Sequence, residues 1–420
     1  MARLFRRRQG PGVARPCQCP TTRLYDRRKM RPEDSPNGNR EGACRQNRLG
    51  PRPETCQMRR SSAPKQRLAP LQPKGNYRLR HIPAVDITKR AVHAPHLVIV
   101  GAGASIAATP NGDLKRKPLP SMINLVDYVG LAPLLDRTGI NWKNRNFEDV
   151  YDELTKQRGL GAVLREIKQQ ISRYFGAIEI PREATAYDYL LLCLREKDAI
   201  ATFNWDPLLP QAYLRNAHLR RLPSIFFLHG NVAVGYCLPC KAKYFISDVY
   251  CRKCRKRLSP TKLLYPARNK QYGSDPFIDN EWKELRIRVE HAYLLTIFGY
   301  SAPNGDAAAI DLMRSAWEKN GTKELAQVEI VDIKSVGKLH QTWSSFITRQ
   351  HYHATKSLRR SLLSRYPRRT CEAFFWASLQ NDPWEDNYIP RLRNLNRLQK
   401  WVERLVREED DLEKSGKPLS

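Results

Sequence analysis

Five apolar, β-prone runs each end in a glycine-rich or polar signature, and this repeated junction constrains the fold more than any other feature. HLVIV (96–100) runs into GAGAS (101–105), and KDAIATF (197–203) runs into Asn204, Trp205 and Asp206. SIFFL (224–228) runs into His229 and Gly230, and AYLLTIF (292–298) into Gly299, Tyr300 and Ser301. VEIVDI (328–333) carries Asp332 near its end. Segments 119–135, 146–175, 184–197 and 306–319 have helical spacing of apolar residues. Strands alternating with such helices build βαβ units and a parallel sheet. Open parallel sheets bind ligands outside the carboxyl ends of their strands. The signatures lie at that end, so the pattern predicts a nucleotide site.

The 420 residues allow two or three domains at most, and 41% apolar content suffices for a sizeable core. The net charge of +31 is uneven: residues 1–90 hold 23 Lys+Arg, 6 Asp+Glu and 11 Pro, with almost no apolar periodicity. Such a segment buries too little surface to offset its ordering entropy, so it reads as a disordered basic tail. Two roles stand open for it: a nucleic-acid-binding arm, or an inert extension preceding a start at Met30 or Met58, the reading preferred here. No run of 18 apolar residues occurs, which predicts no membrane span. Arg6, Arg7 and Arg8 are not followed by an apolar stretch, so no secretory signal is expected. A reducing cytoplasm is the expected compartment.

Four of the ten cysteines form two CxxC pairs, Cys237 with Cys240 and Cys251 with Cys254. In an unsecreted chain this spacing points to metal rather than disulfides. Four thiolates suit tetrahedral zinc and leave no open position, which makes the metal structural. The alternative is four unmetallated thiols in a basic loop. Cys193 and Cys371 sit on apolar faces and read as core thiols, and His351 and His353 as surface residues. Gly101 and Gly103 would let a pyrophosphate approach the backbone and the next helix N-terminus; the alternative is a tight strand–helix turn. Position 106 is Ile where the ordinary dinucleotide fingerprint has its third Gly, and no acidic residue ends a second strand about 20 residues on. An ordinary Rossmann dehydrogenase is therefore not expected. His229 is a candidate general base or a core histidine capping a strand. Asn204 and Asp206 are candidate site residues or an Asx turn before Pro207.

Taken in order, GAGAS, the Asn-x-Asp loop, the His-Gly loop, the paired CxxC set and the Gly-x-Ser strand end resemble the sirtuin family over about residues 96–334. The closest resemblance is to the divergent sirtuin-like domains of bacterial proteins. It implies a Rossmann-like α/β fold that binds NAD as a substrate and cleaves its nicotinamide–ribose bond, with zinc as a structural ion. It also implies roles. Gly101, Ala102, Gly103 and Ser105 would face the pyrophosphate. Asn204 would hold the nicotinamide-side ribose or a water, and Asp206 the nicotinamide amide. His229 would be the general base, Gly299 and Ser301 would lie beside the adenosine ribose and phosphates, and Asp332 would hold the adenosine ribose. The chain departs from the family after the glycine loop, where ATPNGDLKRKPLP lacks the Phe-Arg pair that shapes the nicotinamide pocket. Phe203 replaces a Gln. The Phe-Gly-Glu segment that pairs with an acyl-lysine peptide is absent from KLLYPARNKQYGSDPF.

The expected organisation is a tail (1–90), a parallel-sheet NAD-binding domain (91–335) with an inserted four-cysteine zinc module (232–268), and a helical C-terminal extension (336–420). In the extension, Leu392, Leu395, Leu398, Val402 and Leu405 share one face. The expected activity is NAD glycohydrolysis with water as acceptor. The alternatives are an NAD-dependent protein deacylase and, from another class, a non-catalytic nucleotide sensor or nucleic-acid-binding module. Bacterial sirtuin-like domains often serve antiviral defence, so the resemblance implies assembly as a homo-oligomer or with a defence-system partner. Nucleic acid would bind through the tail, and no membrane is expected.

Overall fold

A computed structural model describes residues 93–219, 221–245, 249–265, 272–347 and 352–415 of the chain. Nine strands occur among the described residues: β1 (His96–Val100), β2 (Ala199–Thr202), β3 (Ser224–Phe227), β4 (Val234–Cys237), β5 (Ala242–Phe245), β6 (Ser259–Pro260), β7 (Leu294–Phe298), β8 (Gln327–Val331) and β9 (Tyr352–Thr355). Six form an all-parallel sheet in the order β3-β2-β1-β7-β8-β9. With the three insert strands set aside, this is the 3-2-1-4-5-6 order of a doubly wound fold. The direction of winding reverses between β1 and β7, whose register pairs Val98 with Thr296 and Val100 with Phe298. A crevice therefore opens at their carboxyl ends. β1, β2 and β7 are buried along their whole length, as a sheet covered on both faces requires.

The helices follow the apolar spacing. In Phe147–Lys156, Phe147, Val150, Tyr151 and Leu154 are buried, and the Asn146 side chain caps the start by accepting from the Glu148 amide. In Gly161–Gly176, Val163, Ile167, Ile171 and Phe175 form the buried stripe. The continuous helix expected over 146–175 is thus two helices, separated at Gly159, whose φ of +86° cannot continue a right-handed helix. Cys193 and Cys371 are core thiols, and burial pushes both up to about 12.

The expectation of a purely helical extension from 336 is corrected. β9 pairs in parallel with β8 and forms one edge of the sheet, so the sheet continues past the boundary drawn at 335. Its sequence, YHAT, is short, and only Thr355 is buried, so it carries no apolar run to read. His353 is exposed, as expected of a surface residue, but it has an acidic partner. Its Nδ1 lies 3.2 Å from Oε1 of buried Glu329, which also accepts from the Leu362 amide at 2.8 Å. That carboxylate raises the imidazole pKa. His351 and the tail 1–90 lie outside the described residues. No helix among the described residues is long and apolar enough to cross a membrane.

Two ionic anchors fix the periphery. At the β3 edge, Glu281 accepts from the Phe227 amide at 2.7 Å, while Lys243 of β5 bonds both Glu281 and the Ile225 carbonyl. An exposed ladder edge is thereby capped and the insert is tied to the sheet. The helix Leu395–Ser415 buries Leu398, Val402 and Leu405. It is clamped by Arg368, whose fully buried guanidinium donates to both Glu409 oxygens, at 2.6 and 2.8 Å. Removing one partner of such a pair leaves an uncompensated buried charge. Glu409→Ala is expected to cost about 3–5 kcal/mol of stability, read as a shift in denaturant midpoint. An unchanged midpoint would show that the clamp contributes nothing.

Candidate active site

The crevice at the β1–β7 reversal contains a cavity of about 420 Å³. All ten residues assigned above to catalysis or NAD binding line it: Gly101, Ala102, Gly103, Ser105, Asn204, Asp206, His229, Gly299, Ser301 and Asp332. Phe203, Trp205, Met122 and Phe175 supply apolar wall, and Glu148 and Asp306 add two further carboxylates.

The glycine loop makes a clasp with the end of β7. The Gly101 amide donates to the Phe298 carbonyl at 3.1 Å, and the Gly103 amide to the Gly299 carbonyl at 2.9 Å. Gly299 has φ +60°, and a Cβ there would lie 2.4 Å from the Ala104 nitrogen. The tight-turn reading of the glycines therefore holds in its own right. Of the first three loop amides, only that of Ala102 has no such bond among the described residues.

Asn204 is held by a proton-ordered network. Ser105 Oγ donates to Asp206 Oδ2 at 2.6 Å, which uses its single proton. Tyr187 OH, 2.6 Å from Ser105 Oγ, must then donate to it. The Asn204 amide nitrogen donates to the Gly101 carbonyl at 2.8 Å and, with its second proton, to Ser105 Oγ and Tyr187 OH at 2.9 and 3.0 Å. Both amide protons are committed. Oδ1 accepts nothing from the described residues and is the atom left for a ligand. Ser105, expected at the pyrophosphate, has its hydroxyl engaged inside this network. The Asp206 carboxylate is likewise held, by Ser105 and by the Leu208 amide at 3.1 Å, so the Asx-turn reading also applies. Burial raises the Asp206 pKa and keeps Tyr187 protonated. Asn231 closes the loop from behind, donating to the Asp206 carbonyl at 2.6 Å.

His229 Nε2 lies 3.7 Å from Asp306 Oδ1, and Tyr300 OH donates to the other Asp306 oxygen at 2.8 Å. The ring sits edge-on to Phe203, which stacks on Tyr300 with centroids 4.1 Å apart. Gly230 is needed next to it: φ is +74°, and a Cβ would fall 2.1 Å from the Lys262 carbonyl oxygen. At the rim, Asp332 is half-buried and uses Oδ1 to accept from the Lys334 amide, while Ser301 is exposed.

Sequence reasoning missed Tyr187, Asp306 and Glu148. Tyr187 had a signal: a tyrosine in the apolar helix segment AYDYLLL needs a hydroxyl partner once buried. Asp306 was legible only as the start of a helix.

The four cysteine sulfurs lie within 4.8 Å of one another, a donor set and spacing that fit zinc. Cys237 ends β4 of the antiparallel sheet β5-β4-β6, the other three cysteines lie in the connections between its strands, and the chain leaving the tetrad packs on the histidine loop. Thr261 Oγ donates to the Asn231 carbonyl at 2.8 Å, and the Leu264 amide to the His229 carbonyl at 2.9 Å. We expect one zinc per chain by metal analysis. Cys251→Ser should release it and lower the melting temperature by several degrees, because structural metal contributes folding free energy. A metal-free, equally stable wild type would contradict this.

No family model matches the chain, and no curated protein matches it. Solved structures do. A Sir2 homologue in complex with NAD shares 14% identity, covering 77% of this chain and 94% of that one at a TM-score of 0.35. A mutant Sir2 homologue in complex with ADP-ribose shares 13% over 78% and 97%, at 0.32. A structure of Sir2 enzymes solved for mechanism and regulation shares 15% over 76% and 96%, at 0.33. Each of these three is a Sir2 structure. At these identities and TM-scores the likeness assigns no chemistry, and the functional reading rests on the geometry of the cavity.

Proposed function

We propose that the protein binds NAD across the carboxyl ends of β1, β2, β3, β7 and β8 and hydrolyses its nicotinamide–ribose bond. The observation that carries this reading is the convergence of Asn204, His229 and four carboxylates on one cavity of a chain whose net charge is +31. Asp206, Asp306, Glu148 and Asp332 face it, with Lys334 as the single Lys or Arg lining it among the described residues. Such a lining suits a substrate with a cationic pyridinium glycoside. It also stabilises the oxocarbenium character that develops as the bond breaks.

In this mechanism the electron pair of the C1′–N bond leaves with nicotinamide, which departs neutral. Water adds to C1′, and its proton passes to His229. Asp306 stabilises the resulting imidazolium across 3.7 Å. Asn204 Oδ1 accepts from the ribose hydroxyl or the attacking water, fixed in place because its amide nitrogen is fully engaged. Asp332 keeps one oxygen for the adenosine ribose hydroxyls. The pyrophosphate lies against the Ala102 amide and Ser301.

Water as acceptor is supported by the absent Phe-Gly-Glu segment. The test is chromatography of NAD products from zinc-loaded protein. Nicotinamide and ADP-ribose without any peptide are expected. Acetyl-ADP-ribose formed only with an acetylated peptide would replace this reading with a deacylase. Failure to bind NAD at all would remove both.

A further inference from the structure

A second cavity, of about 540 Å³, lies at the other end of the helix Ala102–Ala108 and shares no lining residue with the first. It is bounded by loop 110–116, the start of the helix Ala186–Leu192 and segment 356–359. Its charged lining is Arg116, Arg182, Lys356, Arg359 and Arg393 against Asp113 and Glu183.

The acidic pair does not neutralise this set. Glu183 is taken by Arg393 at 2.9 Å. Asp113 accepts from the backbone amides of Lys115, Lys117 and Glu179, at 2.8, 2.7 and 3.1 Å. Arg116, Arg182, Lys356 and Arg359 have no carboxylate partner among the described residues. Arg359 is the most informative of them. Its guanidinium lies 4.4 Å over the Tyr189 ring, and Nη1 is buried with no hydrogen-bond partner. Tyr189 is itself fixed, its hydroxyl donating to the Leu392 carbonyl at 2.8 Å. Arg359 is half-buried and lines the cavity, so stacking on a fixed ring holds its charge at the cavity wall, while its buried Nη1 is a donor left without a bond.

We propose that this cavity binds a small phosphate-bearing anion with two or more charges, contacted by Arg359 and Lys356. The class follows from the lining. Five cations against two acids call for a multiply charged ligand, and guanidinium groups match phosphate oxygens in a bidentate fork. The volume falls in the range of small-molecule sites. The proposal does not depend on what the first cavity does.

The experiment is calorimetric titration of the zinc-loaded full chain with inorganic pyrophosphate, in the absence of NAD. Saturable binding is expected, weakened about tenfold or more by Arg359→Gln and by Lys356→Glu, the scale of losing one charge-assisted hydrogen bond. Lys356 is exposed, so its variant keeps the test valid should Arg359→Gln misfold. Ser301→Asp, which places a negative charge at the rim of the first cavity, should leave the affinity unchanged. Three results would overturn the proposal: no saturable binding by wild type; wild-type affinity in the folded Arg359 and Lys356 variants, as for pyrophosphate held by the basic segment 1–90; or loss of binding in Ser301→Asp.

Discussion

Asn204→Ala is expected to reduce NAD turnover by about 10²–10³-fold, the scale of removing one preorganised polar contact from a reacting centre. The argument is positional. The amide nitrogen serves Gly101, Ser105 and Tyr187, so the side chain cannot rotate, and Oδ1 meets the substrate with no reorganisation. Alanine removes the acceptor and also leaves the Tyr187 and Ser105 hydroxyls short of a donor. A lower melting temperature should accompany the kinetic loss. Turnover measured at saturating NAD, beside NAD affinity from calorimetry, separates the two effects. Wild-type turnover in this variant would remove Asn204 from the mechanism.

His229→Ala should lower kcat by about 10²–10⁴-fold with NAD affinity largely kept, as for loss of a general base. Asp306→Asn should fall between wild type and His229→Ala. Its carboxylate acts through the imidazole at 3.7 Å and keeps its hydrogen bond with Tyr300 in the amide form. If Asp306→Asn in the His229→Ala background costs as much as it does alone, the carboxylate acts on substrate directly and not through the histidine.

Five strands of the sheet were legible because each is a continuous apolar run closed by a turn signature, and the structure places all five within a few residues of those runs. The paired cysteines were legible because their spacing is local. β9 was not, since an edge strand needs no apolar run. The sheet order was not either, because neighbours such as β1 and β7 lie almost 200 residues apart in the chain. Residues at strand ends could be assigned to one cavity, since a parallel sheet brings its carboxyl ends together. Asp306 lines the same cavity from the start of a helix, and Tyr187, buried on another helix, joins the Asn204 network without lining the cavity. Nothing in a helical apolar period marks which side chain meets a strand end.

The interlocked turns at Gly101, Gly103 and Gly299 bear on how this loop can be probed. Alanine at any of the three would be a tempting way to disable nucleotide binding. Here it would drive a methyl group into the opposite backbone and part the two central strands where the sheet changes direction. An inactive glycine variant would therefore report a broken scaffold and carry no information about phosphate contact. Charge or bulk added at exposed Ser301, which lines the cavity mouth without joining the clasp, is the cleaner probe.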